Sequence, residues 1–270
     1  MPKVLNFYLD DSGTRHPDHK PVRQGRDWFA LGGILLWEGD EDELRRKHTE
    51  FCGRWRIASP LHSSEIRCGS KRFRWLAELS EAERETFFTS LSDFLLSLPA
   101  VGLACVIDRP GYNHRYLLKY GRRRWFLCKT AFAIAVERAT KFAIRHGGKL
   151  RVLPERCSKR DDAKLKEYYL ALLNGGHPFD KAVSGKYGPV TAADYRNTLH
   201  EFRLKHKTSA PMQVADPYLW PMCMGGYHSG NRSYRLLADA GKLIDCQCSK
   251  EETESLGIKY SCFDLVKTKP

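Results

Sequence analysis

Several acidic side chains in this sequence lie at or beside the ends of short apolar segments. They are Asp10 and Asp11 at the end of VLNFYLDD, Glu65 in LHSSEIR, Glu155 after KLRVLP and Asp216 in MQVADPYLW. Carboxylate oxygens are ligands that Mg²⁺ and Mn²⁺ prefer. Two such ions about 3.5–4 Å apart activate water and stabilise the leaving oxygen in phosphodiester hydrolysis. A sheet that aligns its strand ends would bring these acids together for that chemistry.

Most of these acids also have a structural interpretation. Asp-Asp-Ser-Gly at 10–13 is typical of a turn, because Asp side chains bond nearby amides and Gly accepts positive φ. Glu65 is also consistent with an exposed surface acid, the usual place of Glu. Glu155 precedes Arg156, so an ion pair at a strand end is an alternative to a ligand role. Spacing alone leaves both interpretations open.

The surroundings of Asp216 allow two different roles. If residues 212–220 form one helix, Asp216 shares a face with Met212 and Leu219, where a buried carboxylate needs a partner such as a metal. Pro217, however, favours the first position of a helix, which would make Asp216 an N-cap. Pro221 adds a second interruption and predicts a kink or a restart.

Hydrophobic patterning predicts the elements that must position these acids. It indicates strands over residues 4–10, 28–37, 101–108, 149–155 and 200–207, and helices over residues 40–51, 125–146 and 161–173. Ser80 and Glu83 form a capping-box signature for a further helix that runs to Leu98. Gly32-Gly33 in the second strand indicates a bulge or a close backbone approach.

The order of these elements predicts the fold class. Strands come first and strand–helix units follow, which favours an α/β fold with a mixed five-stranded sheet flanked by helices. No linker divides the chain. We therefore expect a single domain over residues 1–270, with inserted helical segments at about 38–100 and a C-terminal extension at about 227–270.

The charge of the chain indicates its class of partner. It carries 45 Lys and Arg against 32 Asp and Glu, a formal net charge of +13. Such an excess attracts polyanions, so DNA or RNA is the expected partner, although any one basic cluster is also consistent with an ordinary solvated face. The candidate nucleic-acid-binding residues are Lys71, Arg72, Arg74, Arg122, Arg123, Arg124, Lys205 and Lys207. The basic clusters at residues 71–75 and 122–125 also contain aromatic residues, as expected where bases stack.

Other features indicate the cellular compartment. No apolar run is long enough to span a membrane, and the N-terminus does not resemble a signal peptide, so a cytoplasmic protein is expected. The nine cysteines then read as reduced thiols. Cys246 and Cys248, with Cys223, His228 and Cys262, are a poor match to a structural zinc site.

Four motifs in order carry a resemblance to a known family. FYLDDSG, FALGGILL, LHSSEI and SAPMQVADPYLW resemble a widespread family of uncharacterised bacterial proteins with a YxDESG-type opening, which is grouped with RNase H-like nucleases. The resemblance runs from about residue 4 to 226. It implies an RNase H-like fold and an acidic two-metal site, with Asp10, Glu65 and Asp216 at matching positions. Glu155 stands where an aspartate is more common, and Asp11 replaces the usual glutamate.

Two hypotheses follow from these observations. The first is a hydrolase, a Mg²⁺- or Mn²⁺-dependent nuclease with Asp10, Glu65, Glu155 and Asp216 as metal ligands, of a kind often associated with anti-phage defence or mobile elements. Lys205, Lys207 or Arg138 would then stabilise charge at the phosphate, although Arg138 is better explained as structural, and His62 would be a candidate general acid. The second hypothesis is a non-catalytic nucleic-acid-binding or scaffold protein with a degenerate site.

Overall fold

The computed structural model describes residues 2–18, 27–121, 126–179 and 185–263. Their centre is a mixed sheet of six strands in the order β5-β4-β1-β2-β3-β6. The strands are β1 Val4–Gly13, β2 Trp28–Trp37, β3 Val101–Asp108, β4 Lys149–Pro154, β5 Leu199–Phe202 and β6 Lys259–Ser261. β1, β2 and β3 are antiparallel neighbours, whereas β4 is parallel to β1 and β5 is parallel to β4.

Helices cover both faces of this sheet. They are α1 Glu41–Arg54, α2 Ser63–Cys68, α3 Trp75–Glu78, α4 Glu81–Ser97, α5 Arg109–Tyr120, α6 Leu127–Arg145, α7 Lys159–Gly175, α8 Ala192–Thr198, α9 Ala210–Tyr227, α10 Arg232–Asp239 and α11 Lys250–Leu256. The α/β class and the mixed, helix-flanked sheet are therefore confirmed. Within the described residues, no helix is long and apolar enough to cross a membrane.

The strand count differs from the prediction of five. The sixth strand, β6, comes from the C-terminal extension and pairs in parallel with β3 at Cys105–Ile107. Three residues are too few to show a period-two pattern, so the sequence gives no signal for β6. β5 is also shorter than predicted and ends at Phe202. Beyond it, single backbone bonds from Arg203 to Val152 and from Lys205 to Pro154 still tie the chain to β4.

The segment Asp10-Asp11-Ser12-Gly13 forms the end of β1 and is not a turn. The ladder with β2 continues through Asp10↔Gly32 to Gly13↔Phe29, so the turn interpretation is wrong. Two of its physical details still hold. Asp10 Oδ1 accepts a hydrogen bond from the Asp11 amide at 2.8 Å, and Gly13 has a positive φ of 86°.

The glycine pair of β2 serves close approach rather than a bulge, because the register with β1 and β3 is unbroken there. A Cβ on Gly32 would lie 2.5 Å from the Leu103 carbonyl oxygen, and one on Gly33 would lie 2.9 Å from the Ala215 Cβ. Gly33 thus allows α9 to lie directly on the sheet. That contact sets the distance between α9 and the sheet, and therefore the position of the Asp216 side chain on α9.

Helix α9 is one continuous helix through both internal prolines, Pro217 and Pro221. Its N-cap residue is Ser209, so the N-cap interpretation of Asp216 is wrong, as is the predicted restart. A proline in the interior of a helix has no backbone N–H, so the hydrogen bond to the preceding turn is lost. Here α9 is buried against β1, β2 and β3, and this packing outweighs the local preference.

The remaining predicted helices agree closely with the structure. Ser80 and Glu83 form both bonds of the capping box at the start of α4. Within α6, the buried face includes Phe132, Val136 and Ala139. Arg138 on the same helix is buried and donates to the backbone oxygens of Glu254 and Gly257, which confirms its structural role and ties the C-terminal extension to the core.

Candidate active site

Three of the four predicted acids converge on one cation, the ammonium of Lys207. The Lys207 Nζ lies 2.8 Å from Asp10 Oδ2, 2.9 Å from Glu155 Oε2 and 3.3 Å from Asp216 Oδ2. These four residues form the carboxylate cluster. It joins positions 10, 155, 207 and 216 of the chain at one point.

Strand pairing explains how Asp10 and Glu155 meet. β1 and β4 run in parallel, and the Glu155 amide donates to the Leu9 carbonyl oxygen at 2.8 Å. Both acids therefore lie at the carboxyl end of neighbouring parallel strands, as the sequence predicts. Lys205 bridges to Glu155 through its backbone, which brings Lys207 to the same edge. The Glu155–Arg156 ion pair considered from sequence is not among the salt bridges of the described residues.

Asp11, in contrast, lies on the other face of the sheet. Successive strand residues point to opposite faces, so Asp10 faces α9 whereas Asp11 faces away from it. The Asp11 Oδ1 accepts from Arg15 at 2.7 Å, and Arg15 also contacts Asp161 at 3.3 Å. Asp11 is thus part of a separate ion-pair network that holds the chain after β1.

Lys207 is largely buried in this cluster, with 18% of its side chain exposed. Burial by itself lowers the pKa of an ammonium group, but the charges of Asp10, Asp216 and Glu155 outweigh it and hold the pKa of Lys207 above its usual value. Lys207 therefore remains charged. Its assignment to a free nucleic-acid-binding surface does not fit this position.

Glu155 has an unusual protonation equilibrium. Burial and the neighbouring charge of Asp10 raise its pKa to about 7, although Lys207 opposes the shift. Three carboxylates facing one ammonium leave an excess of negative charge, which adds to the effect of burial on the pKa of Glu155. A further cation at the cluster would relieve this repulsion.

Asp216 is also bonded to the start of α2. Its Oδ2 accepts from the Ser63 amide at 3.1 Å, and the His62 Nδ1 lies 3.7 Å away. The His62 side chain is 44% exposed. This places His62 beside Asp216, in contact with solvent, where the sequence had associated it with Glu65.

Glu65 is buried in α2 and does not belong to the carboxylate cluster. Its Oε1 lies 3.5 Å from Lys71 Nζ, and the expectation of an exposed surface acid is wrong, since Glu65 is 5% exposed. Its Oε2 is buried with no hydrogen-bond partner in the part of the chain that the structure describes. A buried carboxylate oxygen without a partner is costly, and this one lies in α2 two residues after Ser63, which contacts Asp216.

Sequence reasoning missed the role of Gln213. Its Oε1 accepts from the Leu61 amide at 2.9 Å and lies 3.0 Å from His48 Nε2, and its Nε2 donates to the Thr208 carbonyl oxygen. Gln213 thus fixes the segments that precede α2 and α9. A polar residue within the apolar run MQVAD was the available signal.

The carboxylates of the cluster are the type of ligand that hard divalent cations prefer. Asp10, Glu155 and Asp216 provide oxygen ligands at one point with excess negative charge, and Glu65 adds an unpaired buried oxygen nearby in α2. Among residues 2–18, 27–121, 126–179 and 185–263, however, there is no group of three or more His, Cys, Asp or Glu side chains that could hold a metal ion. Lys207 stands among the carboxylates in the position that a cation would take.

The basic clusters have different surroundings. Lys71, Arg72 and Arg74 are exposed, and the Lys71–Glu65 contact places them beside α2. Phe73 in this cluster is 1% exposed, so it belongs to the core and is not available for stacking. Lys205 is half-buried. Arg122, Arg123 and Arg124 lie outside the described residues.

The cysteine positions do not form a group. All nine cysteines lie in the described residues as free thiols, and Cys223 and Cys262 are buried. Cys246 donates to the Ala238 carbonyl oxygen at 3.2 Å. These contacts give Cys246 and Cys223 separate structural environments.

Comparison with known proteins shows one close family relationship. The chain is 32% identical over 261 residues to the uncharacterized protein y4pM of Sinorhizobium fredii (strain NBRC 101917 / NGR234), covering 95% of this chain and 94% of that protein. The chain belongs to the family of y4pM. No protein-family model matches this chain, and no solved structure matches it.

Proposed function

We propose that the carboxylate cluster is the catalytic site of a metal-dependent nuclease with an RNase H-like fold, which hydrolyses phosphodiester bonds of DNA or RNA. The observation that carries the proposal is the convergence of Asp10, Glu155 and Asp216 within 3.3 Å of one nitrogen. Acids from two neighbouring strand ends and a helix are a direct way to build a hard-cation site.

The sheet order supports the fold assignment. Three antiparallel strands, β1 to β3, are followed by β4 and β5 parallel to β1. This is the arrangement that the RNase H-like resemblance implies. In it, the acid of β1 is central, and Asp10 indeed lies beside β4 and beneath α9.

The side chains divide the work of hydrolysis. Asp10, Glu155 and Asp216, with Glu65, would hold Mg²⁺ or Mn²⁺, which when bound supplies an activated water and charge stabilisation. Lys207 keeps a positive charge at the site, where it would neutralise a phosphate oxygen of the substrate. His62, half-exposed beside Asp216, is placed to donate a proton to the leaving oxygen.

The surface supports a nucleic-acid substrate. The net charge of +13 attracts polyanions, and the exposed Lys71, Arg72 and Arg74 directly follow α2, which contacts Asp216 through Ser63. A strand bound along this segment would pass near the cluster.

Cleavage assays with a matched pair of variants test the proposal. Wild-type protein should cleave labelled single- or double-stranded DNA or RNA with millimolar Mg²⁺ or Mn²⁺. Asp10→Asn should abolish cleavage and retain binding, whereas Asp11→Asn, the same change on the opposite face, should retain both. Binding without cleavage of all four substrates would contradict the proposal.

One observation favours a second candidate function, that of a non-catalytic nucleic-acid-binding protein. Lys207 already places a positive charge among the three carboxylates, where a metal ion would otherwise supply it. If this function is correct, wild-type protein binds no Mn²⁺ at the cluster and Lys207→Met restores binding. Calorimetric titration of both proteins with Mn²⁺ distinguishes the two candidates.

A further inference from the structure

An apolar cleft of about 190 Å³ opens beside the carboxylate cluster. Four helices line it, namely α2, α4, α9 and α10, and its walls include Phe88, Leu91, Leu95 and Leu237. Drug-sized ligands need about 300–1,000 Å³, whereas a dry cavity of about 150 Å³ accepts benzene. The cleft is therefore suited to one small flat ring system.

The cleft adjoins the cluster through α2 and α9. Ser63 lines the cleft, and its amide donates to Asp216 Oδ2 at 3.1 Å. Pro217, the next residue after Asp216, also lines it. Ser63 of α2 and Pro217 of α9 therefore lie between a ligand in the cleft and the carboxylate of Asp216.

The mouth of the cleft has a stacking pair. The Arg67 guanidinium lies over the Trp220 ring, 4.0 Å from its centroid, and both residues line the cleft. Trp220 is half-buried and Arg67 is exposed. Indole and guanidinium planes are the side chains on which unpaired bases stack, and Arg67 adds a positive charge for a phosphate.

Three serines, Ser63, Ser92 and Ser233, line the cleft beside the charged Arg67. Two of their hydroxyls are already bonded within the protein, since Ser92 Oγ donates to the Phe88 carbonyl oxygen at 2.8 Å and Ser63 Oγ accepts from Arg67 Nε at 3.3 Å. A hydroxyl oxygen can accept a further hydrogen bond, so these groups add a few polar contacts for the edge of a heterocycle to otherwise apolar walls.

We infer that this cleft binds a single unpaired nucleobase, next to the phosphate that lies at the carboxylate cluster. The inference rests on the proposed function for its choice of nucleic acid, and it adds the substrate class. A base can enter the cleft only when it is not paired, so the chain acts on single strands or on a nucleotide extruded from a duplex. Stacking on Trp220 and Arg67 makes recognition tolerant of sequence.

Binding without metal tests the inference independently of cleavage. The probes are a fluorescein-labelled oligodeoxyadenylate, its duplex with oligothymidylate, and an abasic strand of the same length and charge, each measured in EDTA. Wild-type protein should bind the single strand more tightly than the abasic strand. Trp220→Leu should remove that difference, weakening single-strand binding by about tenfold, since stacking of one base corresponds to about 1–3 kcal/mol.

Conservative variants separate stacking from folding. Trp220→Phe keeps an aromatic face and should retain most of the affinity, and Arg67→Lys keeps the charge but should lose part of it. Thermal unfolding of each variant identifies any that fails to fold. Binding of the single strand should quench part of the tryptophan fluorescence of wild-type protein. That quenching should be absent from Trp220→Phe.

The possible outcomes separate the two proposals. Equal binding of the base-containing and abasic strands by wild type, or unchanged preference in Trp220→Leu, overturns the nucleobase site even if Mn²⁺-dependent cleavage is found. A preference that depends on Trp220 in a protein that never cleaves supports the nucleobase site and contradicts the nuclease.

Discussion

Asp10 and Asp11 are adjacent in sequence but have different environments, because neighbouring strand residues point to opposite faces of the sheet. Along β1, Asn6, Tyr8 and Asp10 alternate with Leu5, Phe7 and Leu9. Both faces of the strand are buried, so this alternation does not by itself identify the site face. The sequence predicted an acidic strand end. Only the packing of α9 decides which of the two carboxylates meets Glu155 and Asp216.

The role of Lys207 was not predictable from sequence. It stands in the basic run RLKHK, which is typical of a phosphate-binding or solvated surface. Its actual partners are Asp10, Glu155 and Asp216, which are distant in the chain except for Asp216. A long-range ion cluster leaves no local pattern, so the convergence on Lys207 required the tertiary structure.

Removal of the Lys207 charge should destabilise the metal-free protein. Lys207→Met leaves three carboxylates without their ammonium, and we expect a loss of about 2 kcal/mol in the free energy of unfolding, less than the ~3–5 kcal/mol of a fully buried pair. Mn²⁺ should then raise the Tm of the variant more than that of wild type. Differential scanning fluorimetry with EDTA or Mn²⁺ measures both effects.

Lys205→Met is the control for this change. Lys205 lies two residues earlier and forms no ion pair among the described residues, so its replacement should leave the response to Mn²⁺ unchanged. Equal Tm shifts for Lys207→Met and wild type would argue against the cluster as a cation site.

Glu155 should make the stability of the metal-free protein depend on pH. Its pKa is about 7 in the folded protein against an ordinary value of 4.5, so between these values the folded state keeps a proton that the unfolded state releases. Stability should therefore fall as pH rises through this window, by at most about 3 kcal/mol from this group. Urea unfolding across the window should show a flatter dependence for Glu155→Gln than for wild type. Identical slopes would contradict the assignment.

Helix α9 shows how far elements could be predicted. A helix over MQVADPYLW was one of two open interpretations, and its length was not predicted, since Pro217 and Pro221 indicate a break. The contacts of α9 with three strands stabilise the continuous helix. The helices with ordinary signals, such as α4 with its capping box at Ser80, were predicted nearly to the residue.

The close contact between Gly33 and α9 should be necessary for the site. In Gly33→Ala the new Cβ would lie 2.2 Å from the Tyr8 carbonyl oxygen and 2.9 Å from the Ala215 Cβ. We expect a loss of about 2–3 kcal/mol in unfolding free energy, together with a weaker Tm response to Mn²⁺ because Asp216 moves with α9. Urea unfolding and fluorimetry measure the two effects.

Gly39→Ala is a suitable comparison for this variant. A Cβ at Gly39 meets no atom within 4 Å, so the same substitution there should leave both stability and the Mn²⁺ response near wild type. If Gly33→Ala has the same stability and Mn²⁺ response as Gly39→Ala, the close contact between α9 and Gly33 is not necessary for the site.

The whole molecule combines an acidic cluster with a strongly positive charge of +13. The order of the elements predicted the mixed sheet, because a single chain displays that order directly. The polyanion partner that composition indicates stays a prediction. The edge strand β6 and the cleft between α2, α4, α9 and α10 were not predictable. They depend on how the C-terminal extension and the helices after β2 pack together.

The exposed segment after α2 should contribute to the salt dependence of nucleic-acid binding. Removing one phosphate contact, with Arg72→Gln or Arg74→Gln, should make the slope of log K against log salt shallower by about 0.7–0.9. Fluorescence anisotropy at several salt concentrations measures the slope. Arg46→Gln removes one charge from α1, where Arg46 pairs with Glu50, and should leave the slope unchanged. If Arg46→Gln changes the slope as much as Arg72→Gln does, net charge and not the position of the arginine determines the salt dependence.

Anomalous scattering from a crystal grown with Mn²⁺ would show whether the carboxylate cluster binds a cation. We expect a manganese peak bounded by Asp10, Glu155 and Asp216, with the Lys207 ammonium moved away from at least one of these carboxylates, and no such peak in Asp10→Asn. A wild-type crystal at millimolar Mn²⁺ with no peak at the cluster, and with Lys207 still bound to all three carboxylates, would contradict this expectation.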